Sequence, residues 1–320
     1  MRTGTAIAFA AAVAVVAGGL SYRLARSGAA AVAEPAAALP STTDATFVPL
    51  PDSMIPNTEF GRMVRRGEQI FRETGRYAPG YTGNVLSCAN CHIDAGRRPH
   101  SAPLWAAYVS YPEYRNKNQH VNTLQERMPG CFRFSMNGKA PALGDTVLVA
   151  LESYAYWLAT GAPVNTAMRG RGYPTPPSPT LTPDYARGAR VFTQHCAVCH
   201  GADGQGQRAA GAQVFPPLWG PESFNWGAGM ADVDKAAGFV KANMPLGLGN
   251  TLSDQDAWDV ALFVDSHERP QDPRFAGSVE QTRSRYHDSA MSMYERTAGG
   301  VLLGAHSVPS GGTTRASSPR

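Results

Sequence analysis

The chain has 320 residues, with 29 Lys and Arg against 25 Asp and Glu, 43% apolar residues, 33 Gly and 25 Pro. That length allows about two domains of ordinary size, and the apolar share suffices for packed cores, which excludes wholesale disorder. Charged residues make up only 17%, the formal net charge is +4, and no Lys/Arg run exceeds two residues, so nucleic-acid binding has no electrostatic footprint.

The N-terminus carries Arg2 ahead of an apolar run from Ala6 to Leu20, broken only by Gly18 and Gly19. This has the length of a signal-peptide core and falls short of the roughly 20 residues of a comfortable membrane span. A small-x-small site, Ala31-Val32-Ala33, follows Arg23 and Arg26. Residues 1–33 are expected to be an export signal or N-terminal anchor, and 34–54, rich in Ala, Pro, Ser and Thr, a tether. Export would place the protein in the periplasm, free or membrane-tethered.

Five cysteines follow, at 88, 91, 131, 196 and 199. Four of them fall into two C-x-x-C-H units, Cys88-Ala89-Asn90-Cys91-His92 and Cys196-Ala197-Val198-Cys199-His200. This spacing serves covalent attachment of haem c: two thiols add across the porphyrin vinyl groups and the adjacent His becomes the proximal iron ligand. A zinc ribbon would want its pairs about 15–20 residues apart, whereas Cys91 and Cys196 are separated by 105. A dithiol redox motif would not need the His. Two covalently bound haems c are the expected cofactors.

The surroundings of the motifs repeat as well. Arg66-Gly67-Glu68-Gln69-Ile70-Phe71 precedes the first and Arg187-Gly188-Ala189-Arg190-Val191-Phe192 the second. In each, Gly and Phe sit four apart on one helix face, and the Gly would let a second helix approach. Thr182 as N-cap and Pro183 at the first helical position predict the start of the second such helix. Closing helices are predicted from Asp145 to about Ala159, with Val147, Leu151, Tyr154 and Leu158 on one face, and from Ser253, paired with Asp256, to about His267. From Gly188 to Cys196 is 8 residues and from Gly67 to Cys88 is 21, so the first unit carries about 13 extra residues. The expected organisation is mainly α, with a domain at 55–165, a Pro-rich linker at 166–182, a domain at 183–275 and a C-terminal extension at 276–320. Within the extension, 305–320 are rich in Ser, Gly and Thr and expected to be disordered.

Each haem needs a sixth ligand or an open position. In the second domain Met244, in Asn243-Met244-Pro245, lies 44 residues after His200 in a loop that Pro245 stiffens; Met230 and Lys241 are its rivals. In the first domain Met128, Met136 and Cys131 compete, Cys131 lying 39 residues after His92. His100 and His120 are further rivals there. Met ligation generally raises the potential and thiolate holds it low. Arg127, Arg133 and Lys139 lie within eight residues of Cys131, with Arg115 and Lys117 expected on the preceding helix. Trp105, Tyr108 and Tyr111 are expected to line a core or haem edge. The remaining histidines, 195, 267, 287 and 306, are expected at the surface or in packing.

Paired Gly-contact helices with C-x-x-C-H at the end of the first resemble tandem class I-type cytochrome c domains. More narrowly, Cys-Phe-x-x-Ser-x-Asn-Gly around Cys131, set between two C-x-x-C-H motifs and followed by Asn-Met-Pro, resembles the thiosulfate dehydrogenase family of dihaem cytochromes. That family is related to the haem-bearing subunit of the periplasmic thiosulfate-oxidising complex. The likeness covers about residues 58 to 304, including Tyr286-His287-Asp288 and Met293-Tyr294. The resemblance implies oxidative coupling of two thiosulfates to tetrathionate, reversible in some members. It assigns His92 and Cys131 as ligands of the first haem, and His200 and Met244 of the second. Cys131 would also take up a sulfur species transiently, with Arg127 and Ser135 beside it. Two departures stand out: Phe134 occupies a position where members often carry Arg, and Asn243 one where some carry a Lys that exchanges with the Met.

Residues 55–165 hold 12 Lys and Arg against 8 Asp and Glu, and residues 182–275 hold 7 against 11. A basic first domain suits an anionic substrate, and an acidic second one suits a basic acceptor such as a small c-type cytochrome. The competing readings are a dihaem electron carrier without substrate chemistry and a haem subunit of a larger respiratory complex.

Overall fold

A computed structural model describes residues 46–306 except Asn165. The expected export signal or anchor, most of the tether and the tail from 307 lie outside the described residues. No helix among the described residues is long and apolar enough to cross a membrane.

Two helix pairs, built alike, carry the fold. In the first, Glu59–Arg72 starts at Thr58, whose side chain accepts from the Gly61 N–H. It buries Val64, Gly67, Ile70 and Phe71 against Thr146–Leu158, which Asp145 caps by accepting from the Val147 N–H. At the crossing, a Cβ on Gly67 would lie 2.0 Å from the Ala150 carbonyl oxygen. The second pair repeats this: Tyr185–His195 crosses Asp254–Asp265, and a Cβ on Gly188 would lie 2.1 Å from the Asp259 oxygen. Only glycine permits backbones this close. Ser253 caps the closing helix, accepting from Asp256 N at 3.0 Å.

Two local expectations need correction. The second domain's first helix begins at Tyr185, not Pro183, because the Asp184 carboxylate accepts from Arg187 N at 2.8 Å and takes the capping role from Thr182. Arg115 and Lys117 are not helical: Glu113–Arg115 pairs antiparallel with His120–Asn122, and Lys117 lies in the connecting turn. The extra residues of the first domain fold into short helical turns at Thr74–Tyr77 and Pro79–Tyr81.

The second domain's helices pack their own clusters around Phe192 and Trp258, but the largest core spans both domains. Trp226, Phe224, Tyr294 and Leu303 are buried in the same cluster as Trp105, Leu148 and Tyr154. Asn84 Nδ2 donates to the Ser135 and Ser223 oxygens at 2.9 and 3.0 Å, and Asn225 Nδ2 to the Arg133 oxygen at 2.9 Å. The C-terminal extension, with a helix at Val279–Tyr286 and a short hairpin, folds back over this junction through Tyr294 and Leu303.

Candidate functional site

Both C-x-x-C-H units close a single helical turn. His92 N donates to the Cys88 oxygen at 3.0 Å and His200 N to the Cys196 oxygen at 2.9 Å. Each imidazole is then fixed from behind: His92 Nδ1 donates to the Ala102 oxygen at 2.7 Å and His200 Nδ1 to the Pro216 oxygen at 2.9 Å. Both rings thus present Nε2 forward as an unprotonated donor, the arrangement a metal-bound imidazole requires. Burial lowers both histidines from their ordinary value, which keeps them neutral and able to ligate. The four motif cysteines form no disulfide. Burial pushes Cys88 up to about 12 and Cys91 up to about 11, with the nearby Cys131 sulfur adding to both. The donor set fits a haem c at each site.

Cys131 opens a π-helical turn, Cys131–Ser135, directly after the helix Leu124–Gly130. Arg127, one turn earlier, donates from Nη1 to Cys131 Sγ at 3.2 Å. Ser135 ends the π turn half-buried, and its hydroxyl has no hydrogen-bond partner among the described residues. Of the rival ligands, Met136 is 2% exposed within the core and Met128 packs against it. His120 is exposed at 3.8 Å from Glu126. His100 donates its backbone N–H to the Gly170 oxygen. Arg133 and Lys139 point to solvent.

Phe134 carries the least expected feature. Lys117 Nζ and the Arg274 guanidinium each lie 4.7 Å from its ring centroid, a cation–π arrangement with two cations on one ring. Gly227 makes room, since a Cβ there would fall 2.5 Å from the Phe134 ring. Lys117 Nζ donates to the Gly227 oxygen at 2.9 Å, and no carboxylate pairs with it among the described residues. Desolvation, then the charges of Arg274 and Arg127, pushes Lys117 down to about 8. Arg274 is bound to Asp272, which also accepts from His287 Nε2 at 3.0 Å. Sequence reasoning missed Arg274 and Asp272, which meet Phe134 and Gly227 only at the end of the second domain, and a role for His287, which reaches Asp272 through the folded-back extension. It also missed Tyr173, half-buried beside Cys91, Cys131 and Arg127, whose hydroxyl burial raises well above its ordinary value.

At the second site Met244 follows the helix Val233–Asn243, its N–H donating to the Val240 oxygen at 2.9 Å. Lys241 turns away, its Nζ on the Leu252 oxygen at 2.6 Å and Asp254 at 3.0 Å. Met230 packs against two core clusters. Trp105 is a core residue with Nε1 on the Arg97 oxygen at 2.9 Å, and Tyr111 accepts from Arg115 at 3.3 Å. His267 stacks on Trp219 at 4.1 Å.

Residues 77–164 match the model described as "SoxA/TsdA, cytochrome c domain", and residues 185–268 match "Cytochrome c". A thiosulfate dehydrogenase of Thiomonas intermedia is 57% identical over 83% of this chain and 85% of its own. The chain belongs to the thiosulfate dehydrogenase family. A family member from Stutzerimonas stutzeri is 52% identical over 81% of this chain and 85% of its own. A solved thiosulfate dehydrogenase (TsdBA) of Marichromatium purpuratum superposes with TM-score 0.79 at 49% identity, covering 82% of this chain and 58% of that one. The expected class, two cytochrome c domains in a mainly helical chain, is therefore met, and with it haem c binding and an enzyme's place in electron transport.

Proposed function

We propose that this chain couples two thiosulfates oxidatively to tetrathionate at a haem held by Cys88, Cys91, His92 and Cys131, and passes the electrons through a second haem to an external cytochrome. The second haem would be attached to Cys196 and Cys199 and ligated by His200 and Met244. The observation that carries the reading is the Arg127–Cys131 contact at 3.2 Å, a thiol paired with a fixed cation beside the C-x-x-C-H turn. A pure electron carrier has no use for such a sulfur.

The haems supply one-electron acceptors; the protein's own groups supply the rest. Bringing two dianions together is opposed by Coulomb repulsion that grows as water is excluded. Arg127 and Lys117 offset it, Arg127 with a fork that matches an oxyanion, and the unpartnered Ser135 hydroxyl is a further donor. The Cys131 thiolate forms a sulfur–sulfur bond to one thiosulfate as two electrons leave. The second thiosulfate then attacks the outer sulfur, forming tetrathionate and releasing the thiolate. The same steps run backwards as tetrathionate reduction.

The acidic balance of residues 182–275 supports docking of a basic electron acceptor such as a small periplasmic c-type cytochrome. The N-terminal apolar run supports export to the periplasm, with or without a membrane tether. The test is thiosulfate-dependent reduction of an artificial acceptor by the haem-loaded protein beside its Cys131→Gly variant. Activity that vanishes in a variant still holding two haems supports the reading. No activity in either direction, or a variant as active as the parent, overturns it in favour of a dihaem carrier.

A further inference from the structure

We propose that Asn243 is a positioning residue linking the two haem sites: its side chain, adjacent to Met244, holds the loop that orients His92. The inference rests on the ligand reading above. Asn243 is 1% exposed. Its Nδ2 donates twice, to the Phe239 oxygen of its own helix at 3.1 Å and across the domain boundary to the His100 oxygen at 2.9 Å. Its Oδ1 is buried without a partner. Leaving a buried polar atom unmet costs on the order of 1–3 kcal/mol, so packing alone does not account for an amide here, whereas an aliphatic side chain would carry no such cost.

The receiving loop is strained. His100 and Ala102 have φ of 63° and 50°, left-handed conformations that cost non-glycine residues roughly 1 kcal/mol or more each and persist only where the surroundings impose them. Three hydrogen bonds from outside impose them: His100 N to Gly170 O at 2.7 Å, Ala102 N to Gly172 O at 2.9 Å, and the Asn243 amide. Two residues further along this loop, the Ala102 oxygen accepts from His92 Nδ1. Met244 and His92 are therefore joined by one peptide bond, one side chain, two hydrogen bonds and a three-residue strained segment.

The Nδ1–H···O bond fixes the imidazole and raises its basicity. Releasing His100 loosens the Ala102 oxygen and weakens that bond, and a weaker imidazole donor stabilises the ferric state less. Loss of the Asn243 amide thus raises the midpoint potential of the first haem, although Asn243 is next in sequence to a ligand of the second.

The test uses the full haem-loaded chain in three variants. Asn243→Ala removes the donor with the rest of the amide, and Asn243→Leu removes both polar atoms at nearly the same volume. Lys241→Met loosens the Met244 loop without reaching the first domain. Spectroelectrochemical titration follows the two haems separately. Both Asn243 variants are expected to raise the first haem's midpoint, by threefold or more in the ferrous-to-ferric ratio at fixed potential, and Lys241→Met to shift only the second. His100→Gly, which relieves the strain directly, should be non-additive with Asn243→Leu at the first haem. Asn243 variants that move only the second haem, or neither, or shifts that add with His100→Gly, would overturn the link. A parent protein without a thiolate spectral signature would refute the Cys131 ligand reading instead, and the midpoint comparison at His92 would still stand.

Discussion

Arg127 and Cys131 meet at 3.2 Å because they stand one turn apart on a continuous helical backbone, α-helical through Gly130 and π-helical from Cys131. Pro129 lies inside this stretch and brings no N–H, and the wider π turn begins at Cys131 itself. Such single-turn π segments often occur where a side chain must be re-aimed at a functional site. The pairing gives the thiol a fixed positive neighbour that also faces any anion brought to the sulfur.

Arg127→Met is accordingly expected to lower kcat/KM for thiosulfate by about 10²–10³-fold, the usual effect of deleting one oriented charged donor. Arg127→Lys should fall between, since it keeps the charge and loses the fork. Steady-state kinetics on protein with both haems attached decides this. A Met variant matching the parent would reduce Arg127 to a packing residue.

Lys117 makes the site sensitive to alkali. Desolvation and the charges of Arg274 and Arg127 hold it near 8, below the ordinary lysine value, so it is cationic below that pH and neutral above it. The kcat/KM profile, which reports the free enzyme, should fall as pH rises through about 8. Lys117→Arg keeps the charge at every accessible pH, and its profile should stay flat over that limb. A parent profile flat to pH 10 would exclude Lys117 from substrate attraction.

What could be read from the chain was what depends on near neighbours. The C-x-x-C-H turns, the Gly67 and Gly188 helix faces and the Ser253 cap are each written within a few residues. Arg127 was legible because a four-residue offset on a helix sets its direction. Lys117 was not, because its turn is fixed by pairing of Glu113–Arg115 with His120–Asn122 rather than by helix periodicity. Arg274 and His287 were illegible for a stronger reason: Arg274 meets Phe134 only where the two domains touch, and the bond from His287 to Asp272 depends on Tyr294 and Leu303 anchoring the extension to a core built largely by the first domain. The Asp184 cap displaced Thr182 because Asp184 N also donates to Asp259 Oδ1 at 2.8 Å, a partner on the crossing helix.

Asp272 ties that extension down. Its side chain is fully buried, and burial alone would raise its pKa. The hydrogen bonds from His287 and Arg274 outweigh burial and hold it well below the carboxylate range. A depressed carboxylate contributes stability that is complete above its unfolded value of about 4 and is lost as pH falls below it. Asp272→Asn removes the charge and one of the two oxygens that accept from His287 and Arg274, leaving a buried cation partner unmet, and should cost on the order of 3 kcal/mol at pH 7. The gap to the parent should narrow as pH falls below about 4. Denaturant midpoints of the haem-loaded proteins at both pH values test this, and a gap independent of pH would contradict the linkage.

The two helix crossings make the sharpest stability prediction. At Gly188 the atom in the way is the Asp259 backbone oxygen, 2.1 Å from a new Cβ, with Asp259 C at 2.7 Å. A backbone carbonyl in mid-helix cannot swing aside as a flexible side chain can, so Gly188→Ala must push two helices apart along their shared length. Overpacking of this kind costs typically about 1–3 kcal/mol, occasionally more. A loss of 1 kcal/mol lowers the melting temperature by about 2–4 °C in a protein of roughly this size. Gly67→Ala meets the Ala150 oxygen at 2.0 Å and should behave alike. Gly80→Ala is the control, because a Cβ there meets nothing within 4 Å, and its melting temperature should match the parent's. Equal melting temperatures for Gly188→Ala and Gly80→Ala would show that the crossing yields without cost, and the close helix contact would no longer explain why glycine stands at both positions.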